Sequence, residues 1–156
     1  MKKFCWAVLW AALFALPSAA LAGKGWLEDL DQGLQKAAKE NKYVLVDFSG
    51  SDWCGWCIKL DEEVFSKTEF KDYAEKNLVL VLLDFPRRRE LPREVRERNE
   101  QLLKKYGVRG FPTVLILNPK GEVIGRTGYR PGGPQAYIQH LEELISADRA
   151  KSGAAK

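Results

Sequence analysis

The stretch that decides the fold is Val44-Leu-Val-Asp-Phe-Ser-Gly-Ser-Asp-Trp-Cys-Gly-Trp-Cys-Ile-Lys-Leu60. A short run of β-branched and aromatic residues ends at Phe48, a Ser/Gly/Asp cluster interrupts it, and two cysteines separated by two residues open the next segment. The pattern predicts a strand, a turn and the start of a helix. At a helix start, unpaired backbone N–H groups and the positive end of the dipole converge, so a thiolate at Cys54 is favoured. Cys57, one helical turn later, can reach the same sulfur, and the spacing suits a reversible disulfide.

Three chemistries compete for such a pair. Structural zinc needs four ligands, and beyond these two cysteines only Cys5 and His140 remain as soft ligands, so no metal is expected. A permanent structural disulfide would close too small a loop to stabilise much by chain entropy. Thiol–disulfide exchange is the chemistry expected of the pair.

Two further motifs carry a resemblance. Val46-Asp-Phe48 before Trp53-Cys-Gly-Trp-Cys57, with Tyr106-Gly-Val-Arg-Gly-Phe-Pro-Thr113 downstream, resembles the thioredoxin superfamily, and within it the exported thioredoxin-like proteins. The resemblance covers nearly all of the chain after its first segment. It implies the α/β thioredoxin fold, a central mixed sheet with helices on both faces. It also implies Cys54 as the attacking cysteine, Cys57 as the resolving one, and Pro112 as a cis-proline facing them. Trp53, Gly55, Trp56, Phe111 and Pro112 would form the substrate-binding surface, an extended segment pairing with the Phe111 backbone as an added strand.

Asp47 is the anomaly in an otherwise apolar run. Burying a carboxylate as an anion is costly, so its pKa should rise and it can hold or accept a proton near neutral pH. The superfamily's buried acid stands at the matching strand position, which implies that Asp47 acts as a base near Cys57. Two departures accompany this: the segment from Asp47 to Cys54 is one residue longer than in typical thioredoxins, and Leu78 to Asp84 lacks the lysine often found beside the buried acid. The competing role for Asp47 is a strand-end aspartate bonded to turn amides. Asp52 reads as a helix cap.

At 156 residues and 46% hydrophobic composition the chain has room for one core. Lys2 and Lys3, the apolar Phe4 to Leu16 and the small-residue site Ala20-Leu-Ala22 predict a signal peptide over residues 1–22, followed by a domain over 23–146. Residues 147–156, small and polar, read as a disordered tail. Loss of Lys2 and Lys3 takes the formal charge from +4 to +2, which gives no ground for nucleic-acid binding. Arg87, Arg88 and Arg89, with Arg93, Arg96 and Arg98, interleave with Glu90, Glu94, Glu97 and Glu100, the pattern of a solvated face with neighbouring ion pairs.

Along the rest of the chain, Leu27, Leu30, Leu34 and Ala37 mark a first helix capped by Asp31, after a very short strand near Gly25 to Leu27. Ser66-Lys-Thr-Glu69 has the capping-box pattern for another helix. Leu78 to Leu83 reads as a buried strand, and Phe85 to Pro92 as a loop. Val95 to Tyr106 reads as a helix stopped by Gly107. Thr113 to Leu117 and Glu122 to Arg126 pair across the Asn118-Pro-Lys-Gly121 turn, and Tyr137 to Ile145 closes the domain as a helix with His140 facing solvent.

With no phosphate loop or dinucleotide fingerprint, the site is expected to work without a bound cofactor. The expected function is an exported, periplasmic or otherwise extracytoplasmic thiol–disulfide oxidoreductase, a monomer that reduces disulfides of protein substrates and draws electrons from a membrane donor. The alternatives are an oxidase or isomerase acting on thiol-containing proteins, or a redox-inactive module that binds extended peptides.

Overall fold

The computed structural model describes residues 25–154. The expected signal peptide, Cys5 and its cleavage site lie outside the described residues. The elements run β1 Trp26–Leu27, α1 Leu30–Glu40, β2 Tyr43–Ser49, α2 Gly55–Leu60, a π-helical turn Asp61–Phe65, α3 Thr68–Asn77, β3 Leu78–Asp84, α4 Arg93–Lys105, β4 Thr113–Leu117, β5 Val123–Thr127 and α5 Gly133–Ala154.

The five strands lie in the order β1-β3-β2-β4-β5. β2 pairs parallel with β3 and antiparallel with β4, so the sheet is mixed and β2 is central to it. All seven residues of β2 are buried, which suits an apolar strand covered on both faces. Side chains alternate along it. Val44, Val46 and Phe48 enter a core with Leu30, Ala37, Val81 and Leu115, whereas Tyr43 and Leu45 enter the opposite core with Leu60, Phe65, Phe70 and Tyr137. Asp47 follows the Tyr43–Leu45 alternation and is thereby aimed at the side on which α2 and the π-turn pack.

Several local readings gave way to tertiary ones. Asp29 caps α1, accepting from Gln32 N at 3.0 Å, and Asp31 sits in the first turn. The capping box at Ser66 does not form. The wider π-turn carries the chain through Phe65, Ser66 N donates to Asp61 O, and the Ser66 hydroxyl turns back to the Glu62 carbonyl, so α3 starts at Thr68 without a side-chain cap. Gly107 does stop α4, at φ +59°, where residues with a β-carbon are strained.

The segment from Ala147 is helical through Ala154, not a loose tail. Tertiary contacts hold it: the Tyr43 hydroxyl donates to Asp148 at 2.9 Å, and the Arg149 guanidinium lies over the Tyr43 ring. His140 is half-buried, not solvent-facing; burial pulls its pKa down, and its Nε2 is buried without a hydrogen-bond partner. Among the described residues no helix is long and apolar enough to cross a membrane.

Candidate active site

Cys54 stands in extended conformation at the N-cap of α2, and its sulfur accepts from the backbone N–H of Cys57 at 3.2 Å. The side chain thus fills the place a Ser or Asp usually takes at a helix start. That explains why Asp52 is not the cap. Its carboxylate instead accepts from Arg87 N at 2.9 Å and Arg88 N at 2.8 Å, fastening the β3–α4 loop to the turn before Cys54; these bonds hold its pKa below the usual carboxylate value. Cys54 and Cys57 are joined by a disulfide, and both are buried.

One wall beside Cys54 is aromatic. The Trp53 ring meets Phe111 edge-on at 5.9 Å, Phe111 stacks on Phe85 at 5.0 Å, and Trp53 Nε1 donates to the Phe85 carbonyl at 2.7 Å. The peptide bond between Phe111 and Pro112 is cis. Gly50 makes this wall possible: a β-carbon there would fall 2.5 Å from the Trp53 indole. On the other side, Trp56 is 58% exposed and tilts against Tyr129 at 5.1 Å. Lys59 lies over both rings, and the Tyr129 hydroxyl donates to Glu63 at 2.7 Å. Gly55 is exposed at the first position of α2.

Behind the disulfide, a cavity of about 320 Å³ is lined by Cys57, Asp47, Ser49, Asp61 and Phe65 among others. Asp47 is 6% exposed, in mid-strand, and its Oδ1 has no hydrogen-bond partner. It therefore makes none of the turn-amide bonds that a strand-end role would require. Burial pushes its pKa up to about 8, with the carboxylates of Asp61 and Asp84 adding to the rise. Asp61, an exposed residue bordering the same cavity, is itself shifted upward by partial desolvation, against a pull from Lys71 and with a smaller rise from Glu62.

The sequence pattern does not single out Asp61, because it sits among charged residues that helical periodicity assigns to solvent. Its four-residue spacing from Cys57 was the available signal, since residues at i and i+4 share a helix face. Nor does the sequence pattern mark Asp84. It is buried at the end of β3, where Ser51 N at 2.9 Å, the Ser51 hydroxyl at 2.6 Å and the Arg89 guanidinium all donate to it. The extra length of the segment before Cys54 is thus taken up by a turn tied to β3. Among the described residues no three His, Cys, Asp or Glu side chains are grouped as a metal-ligand set.

The match to known proteins follows this geometry. A thioredoxin-like domain family matches residues 30–145. The chain belongs to the thioredoxin-like family of thiol–disulfide oxidoreductases. This thioredoxin-like protein is 34% identical over 126 residues to the disulfide bond reductase DsbH of Chlamydia pneumoniae, covering 81% of this chain and 75% of that one. It is 31% identical over 103 residues to the thioredoxin-related protein DsbJ of the same organism, but spans only 30% of that longer chain. A solved DsbH oxidoreductase structure superposes with a TM-score of 0.74 at 32% identity, over 86% of this chain and 93% of that one. A thioredoxin from Thermus thermophilus shares the fold, with a TM-score of 0.58 at 20% identity.

Proposed function

We propose that this thioredoxin-like protein is an exported reductase of protein disulfides. The observation that carries the reading is the shared cavity: the resolving cysteine and a buried, unpartnered carboxylate open onto the same space. In the reduced protein, the Cys54 thiolate attacks one sulfur of a substrate disulfide. The substrate S–S bond breaks, a mixed disulfide forms, and one substrate thiolate leaves. Cys57 then gives its proton to ionised Asp47 and attacks the Cys54 sulfur, which closes the intramolecular disulfide and releases the second substrate thiolate. The two electrons come from the cysteine pair, and a thiol or dithiol donor restores it. An acid with a pKa of about 8 exchanges its proton readily near neutral pH, so Asp47 also serves the return step, protonating Cys57 as it leaves.

Export is supported by the basic and apolar start and the Ala20-Leu-Ala22 site. An exported reductase needs electrons carried across the membrane, so the donor is read as a membrane protein. Reduction of insulin with dithiothreitol as donor tests the activity. Turnover should far exceed that of Cys54→Ser, and equal rates would refute the assignment. Sequencing of the exported product should begin at Gly23; a product retaining Cys5 would contradict cleavage.

A further inference from the structure

We infer that the basic loop between β3 and α4 is a docking surface for acidic side chains flanking the substrate disulfide, with Arg87 as the residue that recognises them. The inference rests on the reductase reading above, which it deepens by naming a substrate class.

The sequence pattern assigns Arg87, Arg88 and Arg89 to a solvated mixed-charge face. In the structure all three are exposed, and the loop that carries them is fastened to the residues around Cys54. Phe85 N donates to Ser49 O at 2.8 Å, Phe85 O accepts from Trp53, and Asp52 holds the N–H groups of Arg87 and Arg88. On that frame the Arg87 guanidinium lies 3.6 Å from the Trp53 ring centre. A guanidinium held against a ring keeps its N–H donors in its own plane, free for a carboxylate, and loses little further freedom on binding one.

The neighbouring cations are sorted by partner. Arg89 is bonded to Asp84, Arg93 to Glu97 and Arg98 to Asp29. Of the basic residues on and around this loop, Arg87, Arg88, Arg96 and Arg109 have no carboxylate within 4 Å among the described residues, and Arg109 lies two residues before Phe111 on the approach to Pro112. The adjacent negative charge, Asp52, has both oxygens engaged by the loop's own N–H groups, and Glu90 lies three residues further along the loop. The opposite wall differs. There Lys59 is paired with Glu63 at 3.7 Å, and exposed Trp56 offers an apolar surface. A substrate is therefore oriented with acidic side chains toward Arg87 and apolar ones toward Trp56.

The test uses two synthetic peptides with the same intramolecular disulfide, one with Glu beside the cysteines and the other with Gln. Reduced protein is mixed with each, and the second-order rate is followed by tryptophan fluorescence. The Glu peptide should react about threefold to tenfold faster at low salt, with the ratio falling toward one as salt screens the pair. In Arg87→Gln the ratio should approach one, and in Arg87→Glu it should invert. Arg93→Gln, whose partner is Glu97 on α4, should keep the wild-type ratio.

A wild-type ratio near one overturns the inference. So does an Arg87→Gln protein that slows on both peptides alike, because Arg87 would then act on Cys54 and not on the substrate. If neither peptide is reduced, the reductase reading fails separately. The surface is then read by titrating oxidised protein with the Cys→Ser forms of both peptides: a Glu preference abolished in Arg87→Gln upholds it, and equal binding overturns it.

Discussion

The backbone N–H of Cys57 donates to the sulfur of Cys54 across 3.2 Å, so the helix turn that carries one cysteine stabilises negative charge on the other. On the proposed mechanism that asymmetry assigns the attack to Cys54. Cys57→Ser should accumulate substrate as a mixed disulfide, since attack is retained and intramolecular release is lost, while Cys54→Ser should trap nothing. Non-reducing gels of the two variants after exposure to oxidised substrate check this, and equal trapping by both would reverse or void the assignment.

Asp47 makes stability depend on pH. Folded, it keeps its proton up to about pH 8; unfolded, it releases it near the ordinary value of about 3.9. Between those values the folded state binds more protons, so its stability falls as pH rises, by up to about 1.4 kcal/mol per pH unit, and levels off above the folded pKa. Asp47→Asn removes the titrating group. Its stability relative to the wild type should therefore grow from about pH 4 to about pH 8 and then stop growing, as measured by urea unfolding of the oxidised proteins. The same variant should slow resolution of the mixed disulfide at least about tenfold near neutral pH while sparing the first attack. Parallel loss of both steps would assign Asp47 a structural role.

Asp61 acts on that proton from a distance. Its carboxylate, on the same cavity, adds to the rise in the Asp47 pKa, so removing its charge should lower that pKa. In Asp61→Asn the midpoint of the pH profile for the resolution step should move downward, with the rate at the plateau retained. An unmoved midpoint would separate the two carboxylates.

The redox potential decides the direction of electron flow. The start of α2 favours the Cys54 thiolate, but the Gly55-Trp56 spacer adds no cation to it, so the reduced form gains only moderate stabilisation. A potential nearer thioredoxin's, about −270 mV, than the bacterial oxidase DsbA's, about −120 mV, follows from that. Equilibration against dithiothreitol buffers, read by Trp53 and Trp56 fluorescence, measures it. A value above about −150 mV would favour the oxidase or isomerase alternative.

By itself the sequence determined the thioredoxin-like fold and its cysteine pair, because both are encoded in short segments. The apolar run of β2 demands a covered strand, the Ser/Gly/Asp cluster demands a turn, and Cys-x-x-Cys at a helix start brings two sulfurs together at any tertiary arrangement. Only the tertiary structure decided the partners of the polar side chains. Asp52 would cap a helix by local rules, yet Cys54 holds that place and Asp52 takes two N–H groups more than thirty residues away. Asp61, exposed as its charged surroundings suggest, also borders the cavity, and Arg87, likewise exposed, lies over the Trp53 ring because Trp53 and Phe85 hold its loop. The helix past Ala147 likewise depends on Tyr43, 105 residues before Asp148. Propensity and periodicity describe what a segment does alone, whereas a hydrogen bond or a buried charge depends on which distant group packing places beside it.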